Sequence, residues 1–165
     1  MKIKIFTVGG TIDKEYFDRK SEYEVGEPTI GEILKEAHVN FDFSITPILH
    51  KDSLDMTDQD RQMVFDRVAA DEHRRIILTH GTDTMIQTAK KLTIIPDKTI
   101  VLTGALAPAR FKSSDAAFNI GCAIGAVQIL DPGVHIAMNG RIFDPDKVRK
   151  NLERNWFEAT MSQST

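Results

Sequence analysis

The chain has a single cysteine, Cys122, among its 165 residues, so no intramolecular disulfide can form. Cys122 sits in an apolar stretch and reads as a small buried hydrophobe. Long hydrophobic runs are also missing. The longest apolar stretch, residues 116–130, contains Asn119 and Gln128 and falls short of the ~20 residues that a membrane span needs. The alternating start, Met1-Lys2-Ile3-Lys4-Ile5, is too short and too broken for a signal peptide. Nor is there an excess of positive charge. The net charge is −3, which gives a polyanion nothing to bind and argues against nucleic acid as a partner. No repeat, low-complexity tract or linker interrupts the sequence. What is left is an ordinary globular composition, 41% hydrophobic and 27% charged, at a length that suits one domain. The expectation is one cytoplasmic domain over residues 1–165, with neither a membrane nor nucleic acid as partner.

Strand-like and helix-like segments alternate. Residues 2–8 form a β-branched run that stops at Gly9-Gly10, and the polar residues 13–27 predict a loop. Thr29 and Glu32 suit a capping box ahead of a helix with Ile30, Ile33, Leu34 and Ala37 at helical spacing. Residues 41–49 read as extended, with Pro47 marking an edge or an irregular end. Thr57, Asp58 and Asp60 open a second helix, with Met63, Val64 and Val68 on its buried face. Further strands are expected at 75–79, 99–102 and 134–138, and a helix at 83–92. A long helix capped by Ser113 or Ser114 runs to about Leu130. It is apolar on nearly all sides, with Gly121 and Gly125 permitting close packing, so deep burial is expected. The segment from Lys147 onward is expected to be helical. The alternation predicts a three-layer, doubly wound α/β domain with a mostly parallel Rossmann-like or flavodoxin-like sheet. Ligands bind such sheets at the carboxyl ends of the strands.

Three polar segments fall at or beside those ends. In Val8-Gly9-Gly10-Thr11-Ile12, paired glycines let the backbone turn sharply and present the Thr11 hydroxyl. A phosphate loop is the competing use, but neither G-x-G-x-x-G nor G-x-x-x-x-G-K-[ST] is present. In Thr79-His80-Gly81-Thr82-Asp83-Thr84, a hydroxyl adjoins a carboxylate at a strand end. His80 has no second His or Cys at ligand spacing, so it reads as structural and no metal is expected. In Asp52-Ser53-Leu54-Asp55-Met56, Ser53 could hydrogen-bond a carboxylate. Taken singly, each segment is explained as well by a tight turn or a helix cap.

Together, and in this order, the segments resemble the L-asparaginase/glutaminase family. Gly9-Gly10-Thr11-Ile12 looks like its first motif, and His80-Gly81-Thr82-Asp83-Thr84 looks like its second. Ser21-Glu22-Tyr23-Glu24-Val25-Gly26 is similar to its mobile loop, and Ser53 with Asp55 to its substrate-carboxylate segment. Leu102-Thr103-Gly104-Ala105 and Met138-Asn139 fall where similar segments occur. The resemblance implies hydrolysis of L-asparagine to aspartate and ammonia through an acyl-enzyme, with no cofactor. Thr11 would be the nucleophile, Tyr23 its activator or gate, and Thr82 and Asp83 the second polar group. Asp83 would hold the substrate ammonium, while Gly10, Ser53 and Asp55 complete binding.

Three departures from the family accompany this. The family's second domain, which contributes an acid to a neighbouring subunit's site, has no counterpart in this reading. The family lysine, expected in a Phe-Lys context, is displaced, since Glu158 follows Phe157; Lys150 and Lys147 are the nearest candidates. Leu54 stands where a glutamine often follows the serine. A homodimer or homotetramer is expected, with Lys150 or Glu158 of a neighbour completing the site. Two other readings stay open: a non-catalytic domain that binds a small amino acid, and an amidase component acting on another amide.

Overall fold

A computed structural model of the protein describes residues 1–17 and 22–160. Ser21, the first residue of the loop motif, lies outside the described residues. The strand β1 (Lys2–Thr7) lies parallel between β4 (Asp42–Pro47) and β5 (Arg75–Thr79). Parallel β6 (Thr99–Thr103) and β7 (Gly133–Met138) follow, and antiparallel β8 (Arg141–Phe143) ends the order β4-β1-β5-β6-β7-β8. Pro47 ends the edge strand β4, where a missing N–H costs no ladder bond.

Period-two alternation divides the strand residues between two cores. Ile3, Ile5, Ile77, Val101 and Ala137 pack with α1 (Ile30–Glu36) and α4 (Ala116–Ile129). Phe6, Ile76, Leu78, Leu102 and Ile136 pack with α2 (Asp58–Ala70) and α3 (Met85–Leu92). This is the expected three-layer α/β arrangement. From β1 the backbone first adds β4 on one side and then crosses to β5 on the other. The order therefore reverses at β1 and β5, and a crevice opens beyond their carboxyl ends. Among the described residues, no helix is long and apolar enough to cross a membrane.

Several local expectations are corrected. Residues 13–27 are not one loop: β2 (Lys14–Phe17) and β3 (Glu22–Val25) form an antiparallel hairpin. The cross-strand rings of Tyr16 and Tyr23, 5.4 Å apart, favour that pairing over the coil suggested by the polar neighbours. The C-terminal segment is also a hairpin, β9 (Val148–Asn151) with β10 (Trp156–Ala159), rather than a helix. Val148 and Phe157 point into the core while Arg149 and Trp156 face out, an alternation that a helix would not satisfy.

Thr29 does not form the predicted capping box, because its amide and hydroxyl both donate to Asp13 Oδ1 at 2.9 Å. Thr57 and Asp60 do form a capping box, at the start of α2. Met63 is 46% exposed, whereas Val64 and Val68 are fully buried, so the buried stripe of α2 is narrower than expected. α4 is one-sided: Phe118 and Ile129 face outward, and a Cβ at Gly121 or Gly125 would touch nothing within 4 Å. Those glycines therefore serve no close packing. Cys122, on the same helix, is half-buried.

Candidate active site

The first motif makes a turn that only glycine suits. Gly9 and Gly10 have φ of 95° and 96°, backbone that disfavours any larger residue. Space demands glycine as well. A Cβ on Gly10 would lie 2.4 Å from the Gly81 Cα, and one on Gly81 would lie 2.6 Å from the Ser53 Oγ. These two close approaches stack the turns after β1, β5 and β4 on one another at the switch point. Thr11 begins a 3-10 turn, Thr11–Asp13, closed by the Asp13 amide on the Gly10 carbonyl at 3.1 Å. Half-buried, Thr11 lines a cavity of ≈ 280 Å³ with Lys14, Tyr23, Pro108 and Phe111.

The second motif gains a lysine from far along the sequence. Lys150 Nζ, on β9, donates to Thr82 Oγ1 at 2.9 Å and to Asp83 Oδ1 at 2.6 Å. Thr82 is buried, and the Asp83 side chain is 34% exposed, so the group is walled on one side and open on the other. Lys150, one of the two lysines offered by the sequence, thus meets the second motif within one polypeptide, where a neighbour's lysine was the expectation. Lys150 lies directly across the hairpin from Phe157. The Lys147 ammonium, the other candidate, pairs with Asp144 at 3.5 Å. Glu158 accepts from Arg149 and Trp156 on its own hairpin, so it too is engaged locally.

Ser53 heads a 3-10 turn, Ser53–Asp55, whose free amide at Leu54 is capped by Asp52. The Ser53 hydroxyl is buried and has no hydrogen-bond partner among the described residues. Such a hydroxyl costs about 1–3 kcal/mol of stability unless something binds it. Thr84 Oγ1 donates to the Ser53 carbonyl at 2.8 Å and ties this turn to the second motif. Asp55 is exposed on the rim of a cavity of ≈ 700 Å³. Lys14 Nζ lies 2.6 Å from Asp52 Oδ2 and joins the β2 end of the hairpin to the serine turn. Burial pushes the Asp52 carboxyl up, but the bonds from Lys14 and the Leu54 amide outweigh it and hold the group below its ordinary value.

Tyr23 is carried on β3 and half exposed, with its ring 6.0 Å from that of Phe111. The hairpin is held by Arg110 on Glu15 at 2.8 Å and by the Gly26 amide on the Asp13 carbonyl at 2.7 Å. Asp13 is buried, and desolvation raises its pKa against the opposing bonds from Thr29.

His80 is structural, as expected. The Gly81 carbonyl only accepts, so Nδ1 carries the proton and donates to it at 2.8 Å, while Nε2 accepts from Thr88 Oγ1 at 2.8 Å. Complete burial pushes its pKa down to about 4, against the Gly81 bond. Among the described residues, no cluster of His, Cys, Asp or Glu is arranged to hold a metal.

Sequence reasoning missed Lys14, Asp13, Phe111 and the polar network behind the site. In that network, Asn119 donates to the Gly104 carbonyl at 3.0 Å and accepts from the Asn139 amide at 3.2 Å. Asn119 stood out as a polar residue in an apolar helix, and Asn139 as an asparagine just past a strand. Those were the available signals. Lys14 and Phe111 carried none, since both sit in loop-like polar sequence.

Comparison with known proteins adds to this geometry. The sequence model of the family described as "Asparaginase, N-terminal" matches residues 2–162. The protein is 30% identical over 154 residues to L-asparaginase 2-3 of Saccharomyces cerevisiae, covering 85% of its own length and 42% of that relative. It is 29% identical over 159 residues to L-asparaginase 2 of Escherichia coli, covering 90% and 46%. The solved structure of the thermostable L-asparaginase from Thermococcus kodakarensis superposes with a TM-score of 0.83 at 28% identity, over 96% of this protein and 51% of that one. The sequence thus spans about half the length, or less, of these relatives.

Proposed function

The protein belongs to the asparaginase family, and from that premise we propose that it hydrolyses the side-chain amide of L-asparagine to L-aspartate and ammonia. The observation that carries this reading is the contact of Lys150 with both Thr82 and Asp83 beside the Thr11 turn. It supplies the charged partner that the sequence pattern alone left displaced.

In the proposed reaction, the Thr11 oxygen attacks the amide carbon. A threonine hydroxyl is a weak nucleophile at neutral pH and needs a partner to take its proton. Tyr23, which lines the same cavity, is the candidate for that step. Backbone N–H groups of the Gly9-Gly10 and Gly81 turns stabilise the oxyanion. The proton taken from Thr11 passes to the amide nitrogen, which leaves as ammonia; water then cleaves the threonyl ester and returns a proton to the Thr11 oxygen. Thr82, polarised by the Lys150 ammonium, serves the protons of that second step. The unpartnered Ser53 hydroxyl binds the substrate carboxylate, and the accessible Asp83 carboxylate binds its ammonium. Gly10 contributes its close backbone approach, and Asp55 lies at the outer edge of the binding region.

A coupled ammonia assay with L-asparagine beside L-glutamine tests the reading. Asparagine is expected to react faster. Equal rates would overturn the preference, and no ammonia from either amide would overturn the function.

We also propose a homodimer or homotetramer. Leu152, 77% exposed, and Trp156, 40% exposed, present apolar surface on the hairpin that carries Lys150. Light scattering checks this; a monomeric mass with undiminished specific activity on dilution excludes it.

A further inference from the structure

The cavity at Thr11 adjoins a second, larger one, and Lys14 and Tyr23 are walls of both. The larger cavity, ≈ 700 Å³, is bounded by the serine turn through Asp52, Leu54 and Asp55, and by β3 through Glu24 and Val25. A space of that size suits a ligand well beyond a free amino acid. We infer that it receives the rest of a peptide whose N-terminal asparagine sits at Thr11, so that the substrates include short asparaginyl peptides. This inference rests on the proposed amidohydrolase reading of the same site.

Three observations carry it. The first is position. Ser53, the proposed carboxylate contact, is flanked by Asp52 and Leu54, which both line the large cavity. The two cavities share Lys14 and Tyr23 as walls, so a group attached to a substrate at Thr11 has the larger cavity beside it.

The second is charge. Lys14 is paired with Asp52 at 2.6 Å, and Lys51 with Asp60 at 2.8 Å. The two lysines on this wall are paired inside the protein, and the wall also carries the Asp55 and Glu24 carboxylates, so it disfavours a free carboxylate and suits a substrate whose carboxyl is an amide. Leu54, 71% exposed, adds apolar surface where a residue binding a free carboxylate would be polar.

The third is the sheet edge. Among the described residues β3 pairs with β2 alone, so it is an edge strand running along the cavity wall. An extended peptide is the occupant that an edge strand recognises, through main-chain hydrogen bonds.

The chemistry is unchanged. The bond between the amide carbon and nitrogen of the asparagine breaks, water oxygen ends in the new carboxylate, ammonia leaves, and the peptide bonds stay intact.

The test uses the full-length protein with the tripeptide Asn-Ala-Ala beside L-asparagine, reading ammonia release and the mass of the peptide product. The expected result is an aspartyl tripeptide formed with kcat/KM at least equal to that for the free amino acid. Leu54→Glu should lower the ratio of the two kcat/KM values about tenfold, since it places an unpaired charge against the peptide. Hydrolysis of asparagine without hydrolysis of the tripeptide overturns the inference and leaves the amidohydrolase reading standing. No hydrolysis of either overturns both. An unchanged ratio in Leu54→Glu overturns the assignment of the cavity.

Discussion

The Phe157 amide donates to Asn139 Oδ1 at 2.8 Å. Phe157 is the cross-strand partner of Lys150, so this bond fixes the hairpin that delivers the lysine to Thr82 and Asp83. Asn139 is held in turn by Asn119, whose amide group reaches the Gly104 carbonyl. A continuous polar network therefore joins the loop after β6, the end of β7 and the lysine hairpin. It lies behind the site and determines where the Lys150 ammonium stands.

Asn139 has φ of 54°, a conformation asparagine and glycine tolerate. Asn139→Gly preserves the backbone and removes only the anchor. The expected result is a fall of about tenfold in kcat with a near-native melting temperature, because the lysine loses its fixed position. Restoration by added substrate, meaning a raised KM at full kcat, would show that the hairpin is not held this way.

Lys150 meets two different acceptors from one ammonium. Lys150→Met should lower kcat by about 100-fold or more, the scale of a lost proton-handling group. Lys150→Arg keeps the charge, but its planar fork does not fit the same two oxygens, so only partial recovery is expected. Full activity in Lys150→Met, with folding checked by circular dichroism, would remove the lysine from the chemistry.

Thr11→Ala removes the proposed nucleophile from a half-buried position that makes no hydrogen bond essential to the turn. Ammonia release should nearly vanish while the melting temperature stays within a degree or two. Retained turnover would transfer the nucleophilic role to Thr82, the other hydroxyl of the site.

Much of this architecture was legible because parallel strands, buried on both faces, write long apolar runs. Residues 2–7, 75–79 and 99–103 needed no tertiary information. The site motifs were legible because glycine spacing and strand ends mark them. The two hairpins were not. The first is held by one aromatic pair and by ion pairs such as Arg110 with Glu15, which link residues distant in sequence. The second turns Val148 and Phe157 inward from two separate four-residue strands, and neither strand alone is long enough to display a period of two. Lys150 stayed ambiguous for the same reason: as part of a helix, its ammonium would have had no defined direction.

Asp13 yields a prediction opposite to the usual one for a buried acid. Burial raises its pKa above 3.8 despite the bonds from Thr29. The folded state therefore favours the protonated form, and the ionised form costs stability at neutral pH. That cost shrinks as the pH falls through the folded-state value and is gone below 3.8. Asp13→Asn keeps an acceptor for Thr29, so its urea midpoint at pH 7 should equal or exceed that of the parent. A lower midpoint at pH 7 would show that the carboxylate charge is stabilising.

His80 gives a pH dependence of the opposite sign. Its ring is fully buried, donating to Gly81 and accepting from Thr88, and its pKa falls from 6.5 to about 4. The unfolded state therefore binds a proton that the folded state refuses. Stability from this group is complete above 6.5 and declines as the pH falls toward 4. Between pH 7 and pH 5 the loss should be about 2 kcal/mol. The lowered carboxyls Asp52, Asp60 and Asp71 lose stability only near and below 3.8, Glu158 near and below 4.5, and Asp13 acts in the opposite sense, so the difference between the parent and His80→Gln isolates the histidine. Urea unfolding at the two pH values measures the loss, and His80→Gln should flatten it. Should that variant fail to fold, the parent still decides the matter by NMR. The His80 ring must remain neutral at pH 5, and a ring that titrates near 6.5 would mean that the Thr88 and Gly81 bonds do not hold it in the neutral form.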